Sequence, residues 1–189
     1  MYDTINLWLP IDKVGSFNIS KTMQPLLNIT EHIRDDGQVY ASGYLNNYKV
    51  NISEKGISLK GSLAKYFLSD NFHTLTRSDS ARAFEQMADE LCLPIEKAKV
   101  NRIDFAQNFL MDFEPQAYYS YLGECQHYKR LTQPKSLYYS NGLRQKLFYN
   151  KIAEGKAKGC SLPDVWNDKN VLRYEMRYIL TDFTVTARV

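Results

Sequence analysis

Residues 171–180 read VLRYEMRYIL, and their alternation sets the fold class. Side chains on a β-strand point to opposite faces in turn. Leu172, Tyr174, Met176, Tyr178 and Leu180 therefore make one apolar face, and Arg173, Glu175 and Arg177 make the other. A second stretch at 99–109, KVNRIDFAQNF, repeats the pattern: Ile103, Phe105 and Phe109 share a face, with Arg102 and Asp104 opposite. If the two strands are neighbours in register, opposed Cβ atoms lie about 4.5–5.5 Å apart. Asp104 and Glu175 could then share a divalent cation, since hard carboxylate oxygens suit Mg²⁺ or Mn²⁺. The commoner arrangement of such residues is an open sheet face carrying cross-strand ion pairs.

Upstream, SLYYS at 136–140 and KLFYNK at 146–151 read as strands around Asn141-Gly142, a strong hairpin signal. In KLFYNKIAE, a continuing strand puts Leu147, Tyr149 and Lys151 on one face, with Glu154 just beyond its end. A free tyrosine has a pKa of about 10 and is a poor nucleophile near neutrality. A nearby ammonium favours the phenolate, and a metal on the attacked phosphate lowers the barrier further. Most tyrosines near a lysine are nonetheless packing residues.

Further outward, TINLWL at 4–9 is a short strand closed by Pro10, followed by a loop and a helical turn near 21–27. Residues 38–68 read as a meander, with turns at Asn46-Asn47 and at 54–56 and with ISLKGSLAKYFL after them. Ser78, Asp79 and Ser80 are N-cap candidates for a helix to Leu91, because Phe84, Met87, Ala88 and Leu91 keep helical spacing and Pro94 stops it. A helix is expected at 115–122, and a Lys/Gly-rich loop at 155–160. The order predicts one α+β domain over 1–189: a central, mainly antiparallel sheet, helices packed on one face, and an open polar face carrying the site.

The 189 residues, 44% of them hydrophobic, argue for a packed core and against disorder. No stretch approaches the ~18 apolar residues of a membrane span, and the N-terminus lacks the pattern of a signal peptide. Cys92, Cys125 and Cys160 form neither a disulfide framework nor a metal pair, which points to the cytoplasm. The formal charge of +3 is unevenly spread: residues 1–94 sum to −2 and 95–189 to +5. Residues 129–158 carry Lys129, Arg130, Lys135, Arg144, Lys146, Lys151, Lys156 and Lys158 against Glu154 alone, a local +7 that a polyanion would sense. Nine of the 14 tyrosines lie between 118 and 178, where they could stack on unpaired bases or fill a core beside a solvated basic face.

Taken in order, Arg102-Ile103-Asp104, Tyr149-Asn150-Lys151-Ile152-Ala153-Glu154 and Arg173-Tyr174-Glu175 resemble the rolling-circle replication initiators of small plasmids and the related replication endonucleases of filamentous phages. YDTINLWLP and KSLYYSNGLRQKLFYNK are similar too. The resemblance implies a DNA nicking and joining enzyme that initiates replication, working on a single-stranded or hairpin origin in plasmid, phage or another mobile element. It implies Tyr149 as nucleophile, Lys151 as phosphate contact or phenolate support, and Asp104, Glu175 and Glu154 as ligands of Mg²⁺ or Mn²⁺. Arg102, Arg173 and Arg177 would pair with those carboxylates or grip the DNA backbone, and Lys129, Arg130, Arg144 and Lys146 would supply further DNA contacts. A homodimer is compatible with this reading.

His32, His73 and His127 are isolated, so a histidine-bulge-histidine metal motif is not expected. Family members usually continue past the RYEMRY strand, which predicts that a C-terminal extension is lacking here. Two other functions fit part of the pattern: a non-catalytic single-stranded nucleic-acid binding domain, and a structural domain whose sheet carries only ion pairs. The coincidence of Asp104, Glu175 and Tyr149 is needed only for catalysis.

Overall fold

A computed structural model describes residues 1–15 and 18–180. The fold is α+β, built on extensive antiparallel sheet. The chain divides into two compact units: Met1 with Asp104–Ile179, and Tyr2–Ile103 with Leu180 among the described residues.

In the 2–103 unit the elements are β1 (Tyr2–Pro10), α1 (Ile11–Val14), α2 (Ile19–Met23), β2 (Leu27–Ile33), β3 (Val39–Leu45), β4 (Tyr48–Ser53), β5 (Gly56–Ser62), α3 (Leu63–Leu68) and α4 (Arg77–Leu91). The strands lie in the order β2-β3-β4-β5-β1, and each pairing among them is antiparallel. Alternation buries Ile5, Leu7 and Leu9 of β1 with Val50 and Ile52 of β4 and Ile57 and Leu59 of β5. Leu63, Ala83, Met87 and Leu91 of α3 and α4 join them in one core. Gly61 is required there: a Cβ would stand 2.7 Å from the ring of Tyr48. The helix over 77–91 ends at Leu91 as expected but begins earlier, with Thr76 as its cap and Ser78, Asp79 and Ser80 inside its first turns. The Thr76 side chain accepts from Asp79 N at 3.1 Å, and the Asp79 carboxylate accepts from Thr76 N at 3.1 Å, a reciprocal capping box.

In the other unit, β6 (Lys99–Met111, from Asp104 on), β7 (Lys129–Gln133), β8 (Ser136–Ser140), β9 (Arg144–Asn150) and β10 (Asn170–Ile179) lie in the order β6-β10-β9-β8-β7. Asn141-Gly142 turns the β8–β9 hairpin as expected, with Gly142 at φ +89°. The helix expected at 115–122 is a 3₁₀ turn, Pro115–Tyr118. Tyr119, Leu137, Tyr139 and Leu172 form a small apolar core, joined by Met111, Leu122, Tyr128 and Phe148.

Three expectations need correction. KLFYNKIAE does not continue as a strand: Asn150 ends β9 and caps α5 (Lys151–Ala157), its Oδ1 accepting from Ala153 N at 3.0 Å. Residues 155–157 are therefore helical. The polar face of β6 and β10 is also not open. Asp104, Arg173 and Glu175 are buried, whereas Phe105 and Phe109 are 40% and 45% exposed. The side chains alternate as the sequence predicts, but the charged set is the enclosed one because its members neutralise each other.

Candidate active site

The β9–β10 register brings the signature residues together. Tyr149 stands opposite Arg173, Leu147 opposite Glu175, and Gln145 opposite Arg177, so all six share one face. Arg173 is fully buried and donates from Nε to Glu175 Oε1 at 2.9 Å and from NH1 to Asn108 Oδ1 at 3.2 Å. Tyr149 donates its hydroxyl to the same Glu175 Oε1 at 2.6 Å. Arg177 donates to Asp104 Oδ2 at 3.2 Å and to Gln145 Oε1 at 2.8 Å. Asp104 and Glu175 thus lie on the same side of the sheet, since Arg177, two residues from Glu175, reaches Asp104.

The electrostatics around Tyr149 differ from those expected of an ammonium-activated phenol. Burial raises its pKa above the usual tyrosine value, the charge of Glu175 adds to the rise, and Arg173 pulls the other way. The phenol is therefore held protonated against a carboxylate acceptor. Lys151, buried at the first turn of α5, donates to Glu154 Oε2 at 2.9 Å. Lys158 takes the other oxygen, Oε1. Burial works to raise the Glu154 pKa, but hydrogen bonds from Lys158 and Lys151 hold it below the usual carboxylate value.

Carboxylate oxygens suit Mg²⁺ or Mn²⁺, and Asp104 and Glu175 provide them on one face. Among the described residues, no three His, Cys, Asp or Glu side chains gather to hold a metal. Mg²⁺ commonly binds one or two carboxylates and completes its shell with substrate phosphates and water, a mode the oxygens of Asp104 and Glu175 suit in chemistry; each of the two is paired here with an arginine, as Glu154 is with two lysines. His32 meets Ser42 Oγ at 2.9 Å and His73 meets Asp70 Oδ2 at 2.9 Å, while His127 sits in a turn at φ +66°.

The basic residues divide. Lys129, opposite Ser140 and through it Gln145, falls on the tyrosine's face. Arg130, Arg144 and Lys146 fall on the other face, by the pairings Arg130–Tyr139–Lys146 and Arg144–Tyr178. There Lys146 Nζ donates to Cys125 Sγ at 3.2 Å and sits 4.5 Å from the Tyr128 ring centre, and Arg130 donates to Tyr119 O at 2.9 Å. These cations hold the 119–128 segment. Arg102 falls in the 2–103 unit. Sequence reasoning missed Asn108 and Gln145; the signal was their spacing, four residues after Asp104 and four before Tyr149.

No individual curated protein matches the chain. A family model does: that of the N-terminal region of a phage replication-associated protein matches residues 1–186. That span takes in the RxD, YxKxxE and RxE segments and both compact units. The chain belongs to this phage replication-associated protein family, the filamentous-phage initiators that its motifs resemble, with a role in the initiation of DNA replication.

Proposed function

We propose that this protein initiates replication by cutting one DNA strand and later rejoining it, with Tyr149 as the nucleophile. The observation that carries this reading is the 2.6 Å hydrogen bond from the Tyr149 hydroxyl to Glu175 Oε1, with Arg173 bracing the same oxygen. As the phenol oxygen attacks phosphorus, its proton passes to Glu175. The bond from phosphorus to the 3′-oxygen breaks, and that oxygen leaves as a hydroxyl with a proton from water. A 5′-phosphotyrosine link and a free 3′-end result. Rejoining reverses the sequence: a 3′-hydroxyl attacks the phosphotyrosine, and Tyr149 recovers its proton from Glu175.

A raised phenol pKa suits this route, because the proton departs only during attack and the carboxylate is already in place. Asp104 and Glu175 would hold Mg²⁺ or Mn²⁺ together with the DNA phosphate, and the cation would neutralise charge developing at phosphorus. Arg177 keeps Asp104 oriented through its 3.2 Å bond. Glu154 serves here to aim Lys151 toward phosphate rather than to bind metal. Tyr149 as a whole is half-buried, in contrast to the enclosed Asp104, Arg173 and Glu175, so DNA would approach from its side.

The test is a covalent adduct. A 3′-labelled single-stranded oligonucleotide carrying the phage origin, incubated with the protein and Mn²⁺, should give a labelled band on a denaturing gel. Tyr149→Phe should abolish it while leaving the fold intact. An adduct of equal yield in Tyr149→Phe would remove this residue from the chemistry, and DNA binding without any adduct would favour a non-catalytic binding domain.

A further inference from the structure

We propose that the 2–103 unit carries a separate binding face for a single DNA strand, laid along the cross-sheet row Tyr44–Lys49–Lys60–Asn6 beside Trp8 and Asn51. This takes DNA as the ligand from the function proposed above and does not depend on Tyr149 as nucleophile.

The row follows from three registers. Tyr44 pairs with Lys49, Lys49 with Lys60, and Lys60 with Asn6, so four side chains from four adjacent strands stand in line on one face. The next row holds Ser42, Asn51, Ser58 and Trp8. This is the face turned away from the core, because Val50, Ile52, Ile57 and Leu59 alternate with these residues and are buried. At strand spacings of roughly 4.8 Å the first row spans about 14 Å, close to the length of four stacked bases.

Its composition selects the ligand. Two lysines placed directly opposite one another repel, and such pairs destabilise a sheet. Neither Lys49 nor Lys60 forms an ion pair among the described residues, and no strand position on this face of the unit is acidic. Glu31, on the edge strand, pairs with Ala41 and belongs to the opposite face. A polyanion lying across the row would relieve the repulsion that the fold leaves standing. Tyr44 is 40% exposed and Trp8 half-buried, which provides aromatic surface beside the charges. Farther along, His32 and Tyr40 stack at 4.7 Å, with Arg34 5.1 Å from the Tyr40 ring centre. Cations with flanking aromatic faces suit unpaired bases, whose faces a duplex hides.

The experiment uses the full chain carrying Tyr149→Phe, a fluorescent 20-nucleotide oligo(dT), and anisotropy titrations at several salt concentrations. Lys49→Gln with Lys60→Gln should weaken binding about tenfold, and the plot of log affinity against log salt should become shallower by about 1.4. Tyr44→Ala should weaken single-strand binding by roughly tenfold with the slope unchanged, and should leave binding to a 20-base-pair duplex as it was. Lys60→Glu places opposite charges across the strands, so its melting temperature should hold or rise while its DNA affinity falls. Unchanged affinity and slope in the double lysine variant would overturn the inference. So would equal loss on duplex and single strand in Tyr44→Ala, or altered self-association in place of altered DNA binding. Adduct formation by the protein with native Tyr149 is read separately, so failure of this face and failure of the nucleophile are distinguishable.

Discussion

The 2–103 unit buries Leu9, Ile57, Leu59, Leu63, Met87 and Leu91 completely, whereas the largest fully buried side chains of the 104–179 unit are Arg173 and Lys151. The two interiors follow different physics. Apolar burial is non-directional, and each enclosed leucine contributes about 1.5–3 kcal/mol whatever its neighbour's orientation. A buried ion pair gains little net stability, yet losing one partner strands the other. The first interior therefore holds its own unit together, while the buried charges of the second, beside its small apolar core, fix where a hydroxyl, two carboxylates and two guanidinium groups stand.

The sharpest probe of this contrast is Arg173→Ala. It leaves Glu175 buried beside Tyr149 without its guanidinium and should cost about 4 kcal/mol in denaturant unfolding. Replacing both partners, Arg173→Met with Glu175→Leu, should recover much of that loss while adduct formation stays absent. No recovery in the double variant would break the contrast. Leu59→Ala, in the apolar interior, should cost about 3 kcal/mol through lost burial and a residual cavity. No single partner change should rescue it.

The smallest effect is on pH. The Glu154 pKa is depressed in the folded chain, so its contribution is complete above the ordinary carboxylate pKa of about 4.3 and is lost as pH falls through the lower folded value. Hydrogen exchange at β9 and α5 should therefore quicken on acidification before exchange at β4 and β5 does. Simultaneous quickening would show that the two interiors do not differ in this respect.

Much of this was legible in the sequence because period-two alternation is strong in 171–180 and 99–109 and places Arg173, Glu175 and Asp104 together. What alternation does not say is which side is enclosed. Phe105 and Phe109 are half-exposed because a mutually compensated charge set can be buried in place of an apolar one. β2 escaped notice because nearly every residue of LNITEHI is exposed, leaving no apolar rhythm to detect. The helices α3 and α5 were obscured by strand-like residues before them, although Ser62 and Asn150 were available as caps; each accepts a backbone N–H three residues on. The basic run at 129–158 marked a charged segment correctly. Its cations nevertheless divide between two faces, because neighbours in sequence on a strand are not neighbours in space.

Arg173 and Glu175 lie two residues apart on one strand, whereas Tyr149 reaches them from another. The acceptor and its brace are thus a single cassette whose internal alignment does not depend on strand pairing. The phenol depends on it entirely, since a slip of one residue in β9 would present Phe148 in its place. Insertions along the exposed 167–169 stretch should leave both parts untouched, while inserting or deleting one residue inside 144–150 should separate them. Tolerance to variation in this protein should therefore follow strand register more closely than distance from the tyrosine.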